Sequence, residues 1–267
     1  MTNPVTNKVW WGNVKFDADE VKVWQIGERK VAIQRRDKQW IVWNKETPEE
    51  NAAKITVKAL KSAQSFTDVP FSRFVFSKTE PLLAVSPALA DRPIIARPAA
   101  KLNVPPGQQI EVFISTPLWF KASPENHDCL IADLPFWRPS DSWFGPSTME
   151  GEFCYSKFTE ARVDLQQLTP LSHRAITPIL IRNDYDEALV IERINLPTPY
   201  LSLYTDKENK FWSNQIEIVH HNDENKTGLK VKDQAPEQLS NEPLLVAGPR
   251  ISFHNNHFVR SIKSLLG

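Results

Sequence analysis

Cysteine, glycine and long apolar runs are all scarce in this chain, and each shortage removes a class of function. Cys129 and Cys154 are the 2 cysteines among 267 residues, whereas small secreted scaffolds are held by many more. Staples are also unnecessary, because a globular chain of this length buries roughly three quarters of its unfolded surface. Glycine occurs 8 times, never in a G-x-G or G-K-[ST] setting. A phosphate cradle needs close backbone approach, which glycine permits, so Walker and Rossmann loops are excluded. No apolar stretch approaches the ~20 residues of a membrane-spanning helix. The start, 1–12, carries no apolar signal-peptide segment. Lys+Arg and Asp+Glu are both 32, which leaves no basic excess to displace counterions from a nucleic acid. The expectation is a soluble, cytoplasmic protein with no membrane span, no cofactor and no nucleic-acid partner.

What the chain does have is proline, 21 residues, and tryptophan, 9 residues, set among short β-prone runs. Val21–Ile26 stops at Gly27, and the runs 30–34 and 39–43 flank the polar Arg35–Lys38, which predicts an N-terminal β-meander. Thr47-Pro48-Glu49-Glu50 has the form of a helix start. Lys54–Leu60 fits a short helix or a strand equally. Arg73–Ser77 carries Phe74 and Phe76 on one face, and Pro93–Arg97 has the proline boundaries of an edge strand. Val104-Pro105-Pro106-Gly107 predicts a tight turn, followed by alternating Ile110, Val112 and Ile114. Residues 123–150, rich in proline and aromatics, read as a long ordered loop or a connection between sheets.

Further on, Ile176–Arg182 and Ala188–Leu196 flank the polar turn 183–187 as a hairpin would. Tyr200–Thr205 and Phe211–Val219 flank 206–210 in the same way. His220–Gln238 reads as a polar excursion. Phe258, Ile262, Leu265 and Leu266 have helical spacing, with Asn255 or Asn256 as cap. The fold class is therefore mostly β: an antiparallel β-sandwich of immunoglobulin-like or jelly-roll-like character, as one unit or two packed β units, with a short C-terminal helix. The expected divisions are a meander over 1–66, a main sandwich over 67–250 and the helix over 251–267.

Several blocks resemble a known family. They are Leu83-Ala84-Val85-Ser86-Pro87, Pro105-Pro106-Gly107, and Ser115-Thr116-Pro117-Leu118-Trp119. Asp141-Ser142-Trp143-Phe144-Gly145-Pro146-Ser147-Thr148 through Gly151-Glu152-Phe153-Cys154-Tyr155 is next. His173-Arg174-Ala175-Ile176-Thr177-Pro178 and Asn195-Leu196-Pro197 complete the set. Over residues 70–220 the chain resembles the prokaryotic domain of unknown function 432. That resemblance implies no activity. It does imply a regulatory or partner-binding role, through an association of such genes with mechanosensitive-channel genes and hence a membrane-channel-associated protein partner.

The block 141–155 is the candidate site. Asp141, Trp143, Phe144, Glu150, Glu152 and Tyr155 combine aromatic planes with carboxylates, a set able to hold a protein partner or a small polar ligand. The plainer reading is a rigid loop whose aromatics plug the end of a sandwich. An enzyme acting on a sugar or other polar metabolite would use Glu150, Glu152 or Asp141 as acid and base. A lectin-like carbohydrate binder would need two exposed, coplanar rings. Cys154 lies in a strand-like run and reads as a buried thiol rather than a nucleophile. His254 and His257, or His220-His221 with Asp223 and Glu224, have no second ligand pair at metal spacing, so no metal is assigned. A non-enzymatic binding or regulatory module is the preferred reading.

Overall fold

Backbone hydrogen bonding between short alternating strands organises the described residues. The computed structural model describes residues 9–48, 55–145, 149, 151–221, 226–239, 242–252 and 257–261, with the backbone alone at 226, 227 and 257–261. The strands begin with β1 (Gly12–Lys15), β2 (Val21–Ile26), β3 (Arg29–Arg36), β4 (Gln39–Glu46), β5 (Ile55–Leu60), β6 (Phe71–Val75) and β7 (Leu82–Ala88). Next come β8 (Ile94–Pro98), β9 (Leu102–Val104), β10 (Gln109–Pro117), β11 (Trp119–Pro124), β12 (Ala132–Pro135), β13 (Ser140–Phe144) and β14 (Glu152–Thr159). The rest are β15 (Arg174–Asn183), β16 (Leu189–Ile191), β17 (Ile194–Leu196), β18 (Leu203–Thr205), β19 (Phe211–Ser213), β20 (Ile216–His220), β21 (Lys226–Val231), β22 (Leu244–Ala247) and β23 (His257–Ser261). The protein is mostly β, as its alternation predicts, and three short 3-10 turns are the helical elements among the described residues. No helix among those residues is long and apolar enough to cross a membrane.

Contacts divide the chain into two compact units, residues 1–88 with 117–137, and residues 89–116 with 138–267. These boundaries do not follow the 66/67 division drawn from sequence. The first unit holds a five-stranded sheet, β5-β2-β3-β4-β6, and a four-stranded sheet, β1-β7-β11-β12. The expected meander is its centre: β2 pairs with β3, and β3 with β4, all antiparallel. Of the run Lys54–Leu60, the described residues Ile55–Leu60 form a strand, β5, because β2 offers a full edge from Val21↔Leu60 to Ile26↔Ile55. Of the helix start predicted at 47–50, Thr47 and Pro48 are not helical, and 49–54 lie outside the described residues.

Tryptophan supplies the core of this unit. Trp24 of β2 meets Phe120 of β11 at 5.4 Å between ring centres, so rings from the two sheets touch. Trp10 stacks on Phe120 and sits edge-on to Phe136, and Phe16 sits edge-on to Trp40. The Trp24 indole N–H donates to the Trp10 carbonyl at 3.0 Å, satisfying the ring's polar atom in the interior. Removing one such ring costs roughly 3–5 kcal/mol. Six of the nine tryptophans are buried, at 10, 24, 40, 43, 119 and 212, so most of the tryptophan content is core.

The second unit contains an eight-stranded sheet, β22-β18-β19-β15-β20-β21-β23 with β10 beside β15. It also holds the four-stranded sheet β13-β14-β8-β17 and the ribbon β16-β9. Parallel pairing is part of it: β14 with β8, and β15 with both β19 and β20. Proline-bounded β8 is not the expected edge strand, since it lies between β14 and β17. The predicted hairpin across 183–187 is not formed either. Buried Asn183 donates to the carbonyls of Val104 and Glu187 and accepts from the Tyr185 N–H. This side-chain turn sends the chain away from β15, and β16 pairs with β9 instead.

The hairpin β18–β19 forms as expected, as does the tight turn, where Gly107 has φ +68 and the Gln108 N–H donates to the Pro105 carbonyl at 3.2 Å. The predicted excursion 220–238 contains a paired strand, β21, and the predicted loop 123–150 contains β12 and β13.

The expected C-terminal helix is not supported. Residues 257–261 form β23, antiparallel to β21 with Leu229↔Phe258 in register. A one- or two-turn helix has a costly nucleus, whereas an open sheet edge offers ladder partners for the backbone groups that face it, and Phe258 and Val259 are good strand residues. Residues 262–267 and the caps Asn255 and Asn256 lie outside the described residues.

Candidate functional site

Pairing of β13 with β14 assembles most of the block 141–155 into one two-stranded surface. The antiparallel register places Asp141 opposite Tyr155, Trp143 opposite Phe153, Ser142 opposite Cys154 and Phe144 opposite Glu152. Because side chains alternate, the first two pairs share one face and the last two the other. Phe144 and Cys154 close against Ile95 in a small buried cluster. Burial first, then the Glu152 charge, pushes the Cys154 thiol up to about 11, so it stays protonated and inert.

The other face holds aromatics and charge together. Trp143 is 41% and Phe153 66% exposed, and their rings meet edge-to-face at 5.2 Å and 90°. Next to them Tyr155 is buried, and its hydroxyl donates to Asp91 Oδ1 at 2.9 Å. Two guanidiniums cover these rings: Arg92 lies 6.0 Å from the Phe153 centroid and 5.5 Å from Tyr155, and Arg138 lies 5.9 Å from Tyr155. Both arginines hold Asp141, Arg138 at 2.9 Å and Arg92 at 3.3 Å. Burial, then the Asp91 hydrogen bond, raises the Tyr155 phenol above its ordinary value, keeping it a neutral donor.

Gly151 fixes the indole. A Cβ there would lie 2.5 Å from Trp143 Nε1 and 2.8 Å from the Phe144 carbonyl oxygen. The ring therefore rests on bare backbone, which no other residue type provides.

Of the sequence-derived candidates, Asp141, Trp143 and Tyr155 come together on this face. Phe144 is buried on the opposite face, below the Arg193 guanidinium at 5.3 Å. Glu152 is on that opposite face too, accepting from Asn195 Nδ2 at 3.2 Å. Asp141 and Glu152 are thus separated by the sheet, and Glu150 lies outside the described residues. Sequence reasoning missed Asp91, Arg92, Arg138 and Phe153. Phe153 alternates with Tyr155 and was detectable; Asp91 and Arg92 come from a segment some fifty residues earlier, joined only by the β8–β14 pairing. For metal, Asp223, Glu224 and His254 lie outside the described residues, as does the side chain of His257.

A family model described as a protein of unknown function, DUF432, matches residues 10–266. The chain belongs to the DUF432 family. Neither the curated proteins nor the solved structures contain a match to it. The family match spans far more of the chain than the motif blocks between 70 and 220, so both compact units of this DUF432 protein fall within it.

Proposed function

We propose that this DUF432 chain is a non-enzymatic binding module on a β-sandwich scaffold, and that it docks an extended segment of a partner protein along β13. The observation that carries this reading is the exposed Trp143–Phe153 pair capped by Arg92. Trp, Tyr and Arg grouped on one surface are the residue types that dominate binding energy at protein interfaces. Among the described residues β13 ends its sheet, and an end strand is the element on which strand addition takes place. Arg92 and Arg138 are half exposed and fork-shaped, which suits an acidic side chain competing with Asp141. The preferred partner segment therefore carries an apolar or aromatic residue next to a carboxylate. An exposed Cys129 and a buried Cys154, both free thiols, fit work in a reducing cytoplasm.

Among the described residues the Trp143 and Phe153 rings are perpendicular and give no flat platform for a sugar, and Asp141 and Glu152 lie on opposite faces of the sheet, so this face favours the binding reading. The test is affinity capture from native extract with the wild type, Trp143→Ala and Arg92→Ala/Arg138→Ala, followed by anisotropy on synthetic peptides from the captured protein. Loss of at least tenfold in affinity in both variants is expected. Recovery of the same proteins by wild type and Trp143→Ala would overturn the proposal.

A further inference from the structure

The far end of β14 borders a cavity of about 470 Å³ within the second unit, a volume in the range of small-ligand sites. Phe113, Phe158, Ala161 and Leu168 give it largely apolar walls. The wall is fixed in shape: the Phe113 N–H donates to the Arg162 carbonyl at 2.8 Å. Ala161 is buried and held at φ +41, a left-handed backbone that non-glycine residues adopt at a cost and that clusters at functional sites.

One amine enters this space. Lys157 Nζ donates to the Ser115 carbonyl at 2.6 Å. The Arg174 guanidinium donates to the same oxygen at 2.7 Å and to the Ser115 hydroxyl at 2.8 Å. Two cations therefore converge on one acceptor. The other charged groups at the cavity, Glu160 and Arg162, pair with each other, and the nearby His173 is buried and neutral, pushed down to about 4 by burial and then by Arg174.

We propose that Lys157 forms an imine with an aldehyde or ketone whose apolar body occupies this cavity. The amine lone pair attacks the carbonyl carbon, forming the C–N bond while the carbonyl π pair moves to oxygen. The oxygen collects two protons, both originally on the amine nitrogen, and leaves as water as the C=N bond forms. No oxidant or reductant enters the balance. Burial, then the adjacent Arg174 charge, lowers Lys157 to about 7, so close to half the amine is neutral at pH 7. An ordinary lysine is neutral to about one part in several thousand there. Desolvation and a neighbouring cation are the two known means of activating a lysine in this way.

The test treats wild-type protein at pH 7 with limiting hexanal or formaldehyde, each with cyanoborohydride, and maps the reduced adducts by peptide mass spectrometry. With hexanal, Lys157 should be labelled on the order of tenfold to a hundredfold faster than the exposed Lys207, allowing for the lower nucleophilicity of a weaker base. Its rate should level off above pH 7. Equal labelling of the two, or a Lys157 rate still climbing at pH 9, overturns the proposal. Labelling of Lys157 by formaldehyde but not hexanal overturns the role of the cavity. Lys157→Met checks the peptide assignment and should leave the Lys207 rate unchanged.

Discussion

Replacing Lys157 with methionine should stabilise the protein, and by an amount that depends on pH. The folded-state value of about 7 lies below the ordinary 10.5, so folding disfavours the charged form. Below pH 7 the lysine is protonated in both states, and the native state bears the whole cost of holding that charge. Between pH 7 and 10.5 the unfolded chain binds the extra proton, so stability rises with pH by about 1.4 kcal/mol per unit. Above 10.5 both states are neutral and the cost is gone. A separation of this size corresponds to at most about 5 kcal/mol. Part of the side chain still touches solvent, whose screening brings the expected cost to about 3–4 kcal/mol.

Methionine keeps most of the length of the stem but loses the hydrogen bond to the Ser115 carbonyl, worth about 1 kcal/mol; Arg174 still satisfies that oxygen. The net expectation is a gain of about 2–3 kcal/mol at pH 6 and a loss of about 1 kcal/mol near pH 10.5. Urea unfolding followed through the NMR indole signal of Trp212 reports on this region, because Trp212 packs with Phe113 in one cluster. A Lys157→Met variant less stable than wild type at pH 6, or a stability difference that does not change with pH, would refute the reasoning.

Two further outcomes follow from the geometry. Gly151→Ala should swing the Trp143 indole off its backbone seat, at a cost of roughly 1–3 kcal/mol for overpacking, and abolish NOEs between Trp143 and Phe153; unchanged NOEs would show that the seat does not position the ring. Iodoacetamide at pH 8 should label exposed Cys129 and leave buried Cys154 untouched in the native state, with both labelled in urea; equal native labelling would contradict the burial of Cys154.

The sequence was most legible where a signal was local. The meander from Val21 to Trp43, the Pro106-Gly107 turn and the β18–β19 hairpin each depend on residues within a few positions of one another. Partner choice was less legible. Alternation identified Ile176–Arg182 and Ala188–Leu196 as strand material, but the hydrogen bonds of Asn183 to Val104 and Glu187 separate them. The C-terminal spacing of Phe258 and Ile262 suits a helix in isolation, yet the open edge of β21 claims 257–261. Within the candidate site, Asp141, Trp143 and Tyr155 share a face because of a two-residue period. Nothing local announces that Arg92 will cap them.

Composition and short-range pattern determined that the chain is mostly β and lacks a phosphate-cradling glycine loop, because these depend on side-chain size, backbone freedom and alternation. Only the tertiary structure decided which strands pair, which face of β13 is exposed, and that Lys157 and Arg174 meet on one carbonyl beside a cavity. Those outcomes depend on distant segments satisfying each other's backbone groups and on the local dielectric they create, and neither quantity is carried by any single stretch of sequence.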